Sequence, residues 1–119
     1  PVFTDSPPSS LVIAAAKGDV IALQQMLDTG ADRNAKGALG NTALHFACGH
    51  GHVECARRLL AAGSNPNELN EGRSSPLHMA CYAGKIHCVQ VMVDAGASLL
   101  ARNSSGCTPR DEARVRGHK

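Results

Sequence analysis

The sequence has no tryptophan, one tyrosine and two phenylalanines, so aromatics are only 3% of its 119 residues. Phe3, Phe46 and Tyr82 cannot fill a core. The apolar share of 43% must instead come mainly from Ala, Leu, Val, Ile, Met and Cys. Side chains that small suit closely stacked short helices better than a β-sandwich. No apolar run reaches the roughly 18 residues needed to cross a membrane, and no signal-peptide core is present. Neither sign of charge dominates: 12 Lys and Arg face 10 Asp and Glu, a net +2 that singles out no acidic or basic partner.

Paired-cysteine motifs are also missing. Cys48, Cys55, Cys81, Cys88 and Cys107 form an odd set without a CxxC, and most fall inside apolar helical patterns. Buried, reduced thiols in a reducing compartment, cytoplasmic or nuclear, are the expectation. A chain of this length makes one ordinary domain with a usable core. Its start at Pro1 rather than Met suggests a piece of a longer protein.

What is present is a repeat. "TALHFACGHG" at 42–51 returns 33 residues on as "SPLHMACYAG" at 75–84, and "TPRDEARVRG" at 108–117 follows at the same interval. Gly30, Gly63 and Gly96 keep that period, as do Gly18, Gly51, Gly84 and Gly117. Ala14, Ala47, Ala80 and Ala113 align, and so do Leu27, Leu60 and Val93.

Each unit can be read physically. Thr42, Ser75 and Thr108 are good helix N-caps, with Ser9 in the same place in the first unit. Pro76 and Pro109 then sit where a missing N–H costs nothing. A short helix should run to Gly51, Gly84 or Gly117. A second follows, with apolar residues at helical spacing: Val53, Ala56, Leu59 and Leu60, and equivalently Ile86, Val89, Met92 and Val93. Gly63 and Gly96 should end it as left-handed caps. The stretches 64–74 and 97–107, rich in Asn, Ser and Gly, read as extended loops returning to the next cap. One such helix pair exposes an apolar side, which stacking on a neighbour buries.

The period, "TALHFA" and "SPLHMA", the Gly-His before the second helix and "LLAAGSNPN" together resemble the ankyrin repeat. The resemblance covers about residues 9–119 and implies an all-α solenoid with hairpin-like loops, about three and a half repeats long. The units would be 9–41, 42–74, 75–107 and a partial 108–119, after a Pro- and Ser-rich leader at 1–8. It also implies a concave face lined by loop tips and first helices.

Departures from the pattern carry expectations of their own. "SSLVIAAAKGD" lacks the usual His and reads as an N-terminal cap. Arg73 stands where the other loops have Gly40 and Gly106, so that turn is expected to shift toward Gly72. Arg110 replaces the apolar residue of the helix start, and a fourth unit without a second helix would leave an open apolar edge.

His45, Cys48 and His52 are metal-ligand types that could share a helix face. However, His45 recurs as His78, Cys48 as Cys81 and Cys55 as Cys88, the behaviour of residues the fold requires. One His and one Cys per unit also leave a four-coordinate zinc site unsatisfied. The resemblance assigns that histidine a hydrogen bond to loop backbone. No metal or cofactor is expected. Catalysis finds no nucleophile elbow, phosphate loop or HExxH, and no base is marked beside the loop thiol of Cys107. The basic residues Arg102, Arg110, Arg114, Arg116 and Lys119, with Arg57 and Arg58, lack aromatic stacking partners, so nucleic acid is not expected.

Residues that do not recur are candidates for a partner. His50 (Ala83 in the next unit) and Tyr82 (Gly49 in the previous one) fall at the end of the first helix, where Lys17 and Arg116 are the other equivalents of His50. Leu39, Asn41, Glu71, Ser74 and Ser104 fall at the loop tips, and Leu39 is an apolar group without an obvious home. The expected site is therefore Leu39, Asn41, His50, Glu71, Ser74, Tyr82, Ser104 and Arg116. The expected function is non-catalytic binding of a protein or peptide by a monomer. The alternative is a regulatory or substrate-recruiting domain of a larger enzyme, such as a ubiquitin ligase or kinase.

Overall fold

A computed structural model describes residues 10–115. Among them are seven α-helices in pairs: α1 (Ser10–Lys17) with α2 (Val20–Asp28), α3 (Ala43–His50) with α4 (Val53–Ala61), α5 (Pro76–Ala83) with α6 (Ile86–Asp94), and α7 (Pro109–Val115). The leader 1–8, Ser9 and residues 116–119 lie outside the described residues.

The starts of α3 and α5 are set by a reciprocal cap. Thr42 Oγ1 accepts from the His45 amide at 3.4 Å, and His45 Nδ1 accepts from the Thr42 amide at 3.1 Å. Ser75 and His78 repeat the arrangement at 3.3 and 3.1 Å. Each ring does what Glu or Gln does in an ordinary capping box. The first helices end on left-handed glycines, Gly51 at φ 78° and Gly84 at φ 72°. At Gly51 a side chain is excluded twice, because a Cβ would also stand 2.9 Å from Lys85 Cδ.

The core holds Leu11, Leu23, Leu44, Leu59, Leu77 and Met92 with Ala14, Ala47, Ala80, Cys48, Cys55 and Cys88 between them. Ala14, Ala47 and Ala80 let the first helices approach closely, and α1, α3, α5 and α7 pack more tightly on one another than α2, α4 and α6 do. The more closely packed first-helix row is the inner row of the stack.

Between pairs, the chain forms short hairpins closed by Gly37 N to Asn41 O (2.7 Å), Asn70 N to Ser74 O (3.0 Å) and Asn103 N to Cys107 O (3.0 Å). Only one isolated bridge, Lys36 with Thr42, appears among the described residues, and no strand. The expected shift of the middle turn does not occur. Arg73 itself adopts φ 61° in the place of Gly40 and Gly106, and Gly72 stays outside the left-handed region. Pairing holds the turn in place: Arg73 N donates to Asn70 O at 2.9 Å, and Asn70 Oδ1 accepts from Ser74 N at 2.9 Å.

Candidate functional site

The hairpins are tied to the stack by the two histidines. Thr42 N–H needs an acceptor at His45 Nδ1, which places the ring proton on Nε2. From there it is donated to Ser74 O at 2.8 Å. His78 Nε2 likewise meets Cys107 O at 2.9 Å. Burial lowers the pKa of His45, partly opposed by the bond to Ser74, and the neutral ring is the form that fits. Both ring nitrogens of His45 are thereby engaged, Nδ1 in capping its own helix and Nε2 in holding the next hairpin. Among the described residues no three His, Cys, Asp or Glu side chains converge on a metal position.

Cys48, Cys55 and Cys88 lie in the core, Cys81 packs against it, and Cys107 lies in the third hairpin. Cys48 hydrogen-bonds to Cys88 and is deeply buried, and both effects push its pKa well above that of a free thiol. Burial raises Cys55 and Cys81 as well. A thiol that stays protonated is a poor nucleophile. The arginines of α4 are engaged too: Arg57 and Arg58 lie 3.7 and 3.1 Å from Glu54, and Arg58 also donates to Gln24 Oε1 at 3.0 Å.

Of the expected partner residues, five stand on the surface. Leu39 is 70% exposed at the first hairpin tip, and Tyr82 is 45% exposed at the end of α5. His50, Glu71 and Ser104 are exposed as well. The tips are joined into one edge, since Glu71 N donates to Leu39 O at 3.0 Å and Ser104 N to Gly72 O at 2.9 Å. Arg116 lies outside the described residues.

Two residues are misplaced by the sequence expectation. Asn41 is buried in the hairpin stem, where its Oδ1 accepts from Asn70 Nδ2 at 2.8 Å. Ser74 is half-buried; its carbonyl accepts from His45, and its Oγ accepts from Asn103 Nδ2 at 3.2 Å. Both lie at the foot of a hairpin, where backbone pairing and the next repeat's Asn reach them. Both therefore take part in the hydrogen bonding that holds the hairpins together.

The structure also adds residues. Ile13, Phe46 and Met79 occupy equivalent positions of α1, α3 and α5, on the sides of those helices turned away from Leu11, Leu44 and Leu77. Ile13 is 39% exposed, and Phe46 and Met79 are half-buried. The Phe46 ring stacks on His50, with centroids 6.3 Å apart and planes 12° from parallel. His50 in turn lies 6.0 Å from the ring of His52, whose Nε2 contacts Ala16 O at 3.2 Å. These three apolar residues recur at the period and were not singled out by the sequence. The available signal was helical phase: Ile13 falls between the buried Leu11, Val12, Ala14 and Ala15, and Phe46 and Met79 hold the same place in their helices.

The architecture thus defines a class: a short solenoid of helix pairs with hairpins projecting to one side and an apolar, half-exposed inner row. The model of the family "Ankyrin repeats (3 copies)" matches residues 11–103. The chain belongs to the ankyrin repeat family, whose members are generally protein-interaction modules. No curated protein matches the chain, and among the described residues no helix is long and apolar enough to cross a membrane.

Proposed function

We propose that the protein is a non-catalytic binding module that holds a partner protein or peptide along its inner face. The carrying observation is the partly exposed row Ile13, Phe46 and Met79, with exposed His50 stacked on Phe46, exposed Tyr82 one turn on from Met79 and exposed Leu39 on the first hairpin tip. Flexible Met and rigid aromatic surface together accommodate an apolar partner segment at small entropic cost. The hairpin edge, fixed by backbone bonds and by His45 and His78, keeps Leu39 and Glu71 in place, so binding freezes little of the backbone. Reduced thiols in the core fit a cytoplasmic or nuclear setting.

Site-specific photocrosslinking tests this. A photoreactive residue at Tyr82 or Leu39 is expected to capture the same partner from extract, and one at Gln90 on the outer helix row is expected not to. Identical adducts from inner and outer positions would sink the assignment.

A further inference from the structure

The repeats place a cysteine at the third position of both α4 and α6, Cys55 and Cys88, and both are fully buried. Each gains alike from the positive end of its helix. Their other surroundings are opposite. At Cys55 burial raises the pKa, and the carboxylates of Asp19 and Glu54 raise it further. At Cys88 the pKa is lowered, first by a hydrogen bond from Cys48 and then by the Lys85 ammonium, with burial opposing. What lies beneath each cysteine differs too. Cys88 Sγ stands 3.9 Å from Ala47 O, with the Cys48 thiol against it. One unit earlier the place of Cys48 is taken by Ala15, so repetition puts a methyl group, not a thiol, below Cys55. Cys81, the equivalent of Cys48 one unit on, has its pKa raised by burial and by Glu112. Cys48 and Cys88 are thus the cysteines joined thiol to thiol.

A route to the pair lies at the start of α6. Cys88 helps to line a cavity of about 290 Å³ with Gly51, Gly84, Lys85 and Ile86, among others. The two glycines bring no side chain to fill it, and Ile86 is 71% exposed. Fraying of one helical turn therefore uncovers Cys88 Sγ to a molecule little larger than water, with the Lys85 cation beside the entry. Cys48 stays enclosed behind it. A lowered thiol at an entry, backed by a second thiol, is the arrangement in which an oxidised sulfur is resolved within the same molecule.

We propose that Cys48 and Cys88 form a peroxide-responsive pair that closes reversibly into a disulfide between α3 and α6, tying the second unit to the third. The Cys88 thiol gives up its proton, and the thiolate attacks one oxygen of hydrogen peroxide. The O–O bond breaks, Cys88 becomes a sulfenic acid, and the departing hydroxide takes up the proton as water. Cys48 Sγ then attacks Cys88 Sγ. The S–O bond breaks, and the hydroxyl leaves as a second water carrying the Cys48 proton, which the hydrogen bond already directs at Cys88. Two thiols thus lose two electrons, and one peroxide is reduced to water. A dithiol reductant reverses the link by thiol–disulfide exchange. Nothing in this chemistry depends on the binding role assigned to the inner face.

The test treats the reduced 119-residue chain with a small excess of hydrogen peroxide, blocks remaining thiols with N-ethylmaleimide in urea, and maps disulfides by mass spectrometry after trypsin and Glu-C. A monomer two hydrogens lighter is expected, linked between Cys48 and Cys88, with Cys55 still a thiol. Cys48→Ala, which installs the residue found at Ala15, should stall at the sulfenic acid. Dimedone should then label Cys88 about tenfold more than Cys55. Cys88→Ala should leave Cys48 unoxidised. Chain unfolded in urea during oxidation should give mixed pairings. The wild-type map needs no variant, so a variant that loses its helical circular dichroism leaves the decision with that map. The proposal is overturned if the folded wild type forms another pair or none, if Cys55 oxidises as readily as Cys88, or if the Cys48–Cys88 link is as abundant from the unfolded chain.

Discussion

Arg73 carries a left-handed backbone, φ 61°, at a hairpin position that Gly40 and Gly106 hold in the neighbouring units. For a residue with a Cβ this conformation costs roughly 1–2 kcal/mol, partly offset because Gly has more entropy to lose on folding. Arg73→Gly is accordingly expected to be neutral or to stabilise by up to about 1 kcal/mol, seen as a raised urea midpoint at unchanged slope. The reverse change is unequal between sites. A Cβ at Gly40 would stand 3.1 Å from the backbone N of Glu71, whereas at Gly106 it meets nothing within 4 Å. Gly40→Ala should therefore destabilise more than Gly106→Ala, and an equal loss would contradict the tip geometry. A second residue-scale expectation concerns His45. Its folded pKa is lowered by burial, so the unfolded chain binds more protons between that lowered value and the ordinary His value of about 6.5. The stability from keeping this ring neutral is fully present above about pH 6.5 and is lost as the pH falls from there toward the folded pKa. Tm measured from pH 7.5 to 5 should fall less steeply in His45→Gln than in the wild type, although the variant is less stable at pH 7.5. His45 was legible as structural because it recurs. Ser74, its acceptor, was not, because a carbonyl acceptor leaves no mark on side-chain identity.

The helices themselves could be read almost to their ends, since cap, Pro, apolar spacing and terminal Gly all repeat. The fourth unit shows how much of that cap survives a changed residue. Thr108 Oγ1 accepts from the Asp111 amide at 3.2 Å, and Asp111 accepts from the Thr108 amide at 3.0 Å. Hydrogen bonds from the Thr108 amide and hydroxyl lower the Asp111 pKa. Asp thus replaces the ring at the cap but has no second arm with which to hold another hairpin. Replacing Thr42 by Ala removes the cap of a fully packed helix, and replacing Thr108 by Ala removes the cap of an edge helix. The first is expected to cost about 1 kcal/mol of global stability. The second is expected to melt α7 locally with a smaller global loss, visible as faster amide exchange at residues 110–114 and an almost unchanged denaturation midpoint. What the sequence hid at this scale was the turn through Arg73. A shift toward Gly72 satisfies residue preference, whereas keeping the pairing of Asn70 satisfies two hydrogen bonds, and the bonds prevail.

At the scale of the whole molecule, repetition predicts both where stability concentrates and where binding surface was overlooked. Using recurrence to separate fold from function works for His45 and Cys48. It does not separate Ile13, Phe46 and Met79 from core residues, because these positions recur and are yet only partly buried. The residues on the tips could be found individually, but the packing that places them beside the inner row has no local code. The same one-dimensional logic makes a quantitative statement about the core. Each pair contacts only its neighbours, so interior units are held from both sides and end units from one. Leu44, fully buried in α3 between α1 and α5, should cost about 2–5 kcal/mol when truncated to Ala, by lost burial plus an unfilled cavity. Val89, which packs against the core at the α6 edge but keeps part of its surface in water, should cost less, about 1–2 kcal/mol on the same change, because fewer atoms are removed and the site is not fully enclosed. The measurement is chemical denaturation of both variants beside native-state hydrogen exchange, with protection expected to peak in α3 and α5 and to decline toward α7. If Val89→Ala proved as costly as Leu44→Ala, the α6 edge would have to be covered in solution.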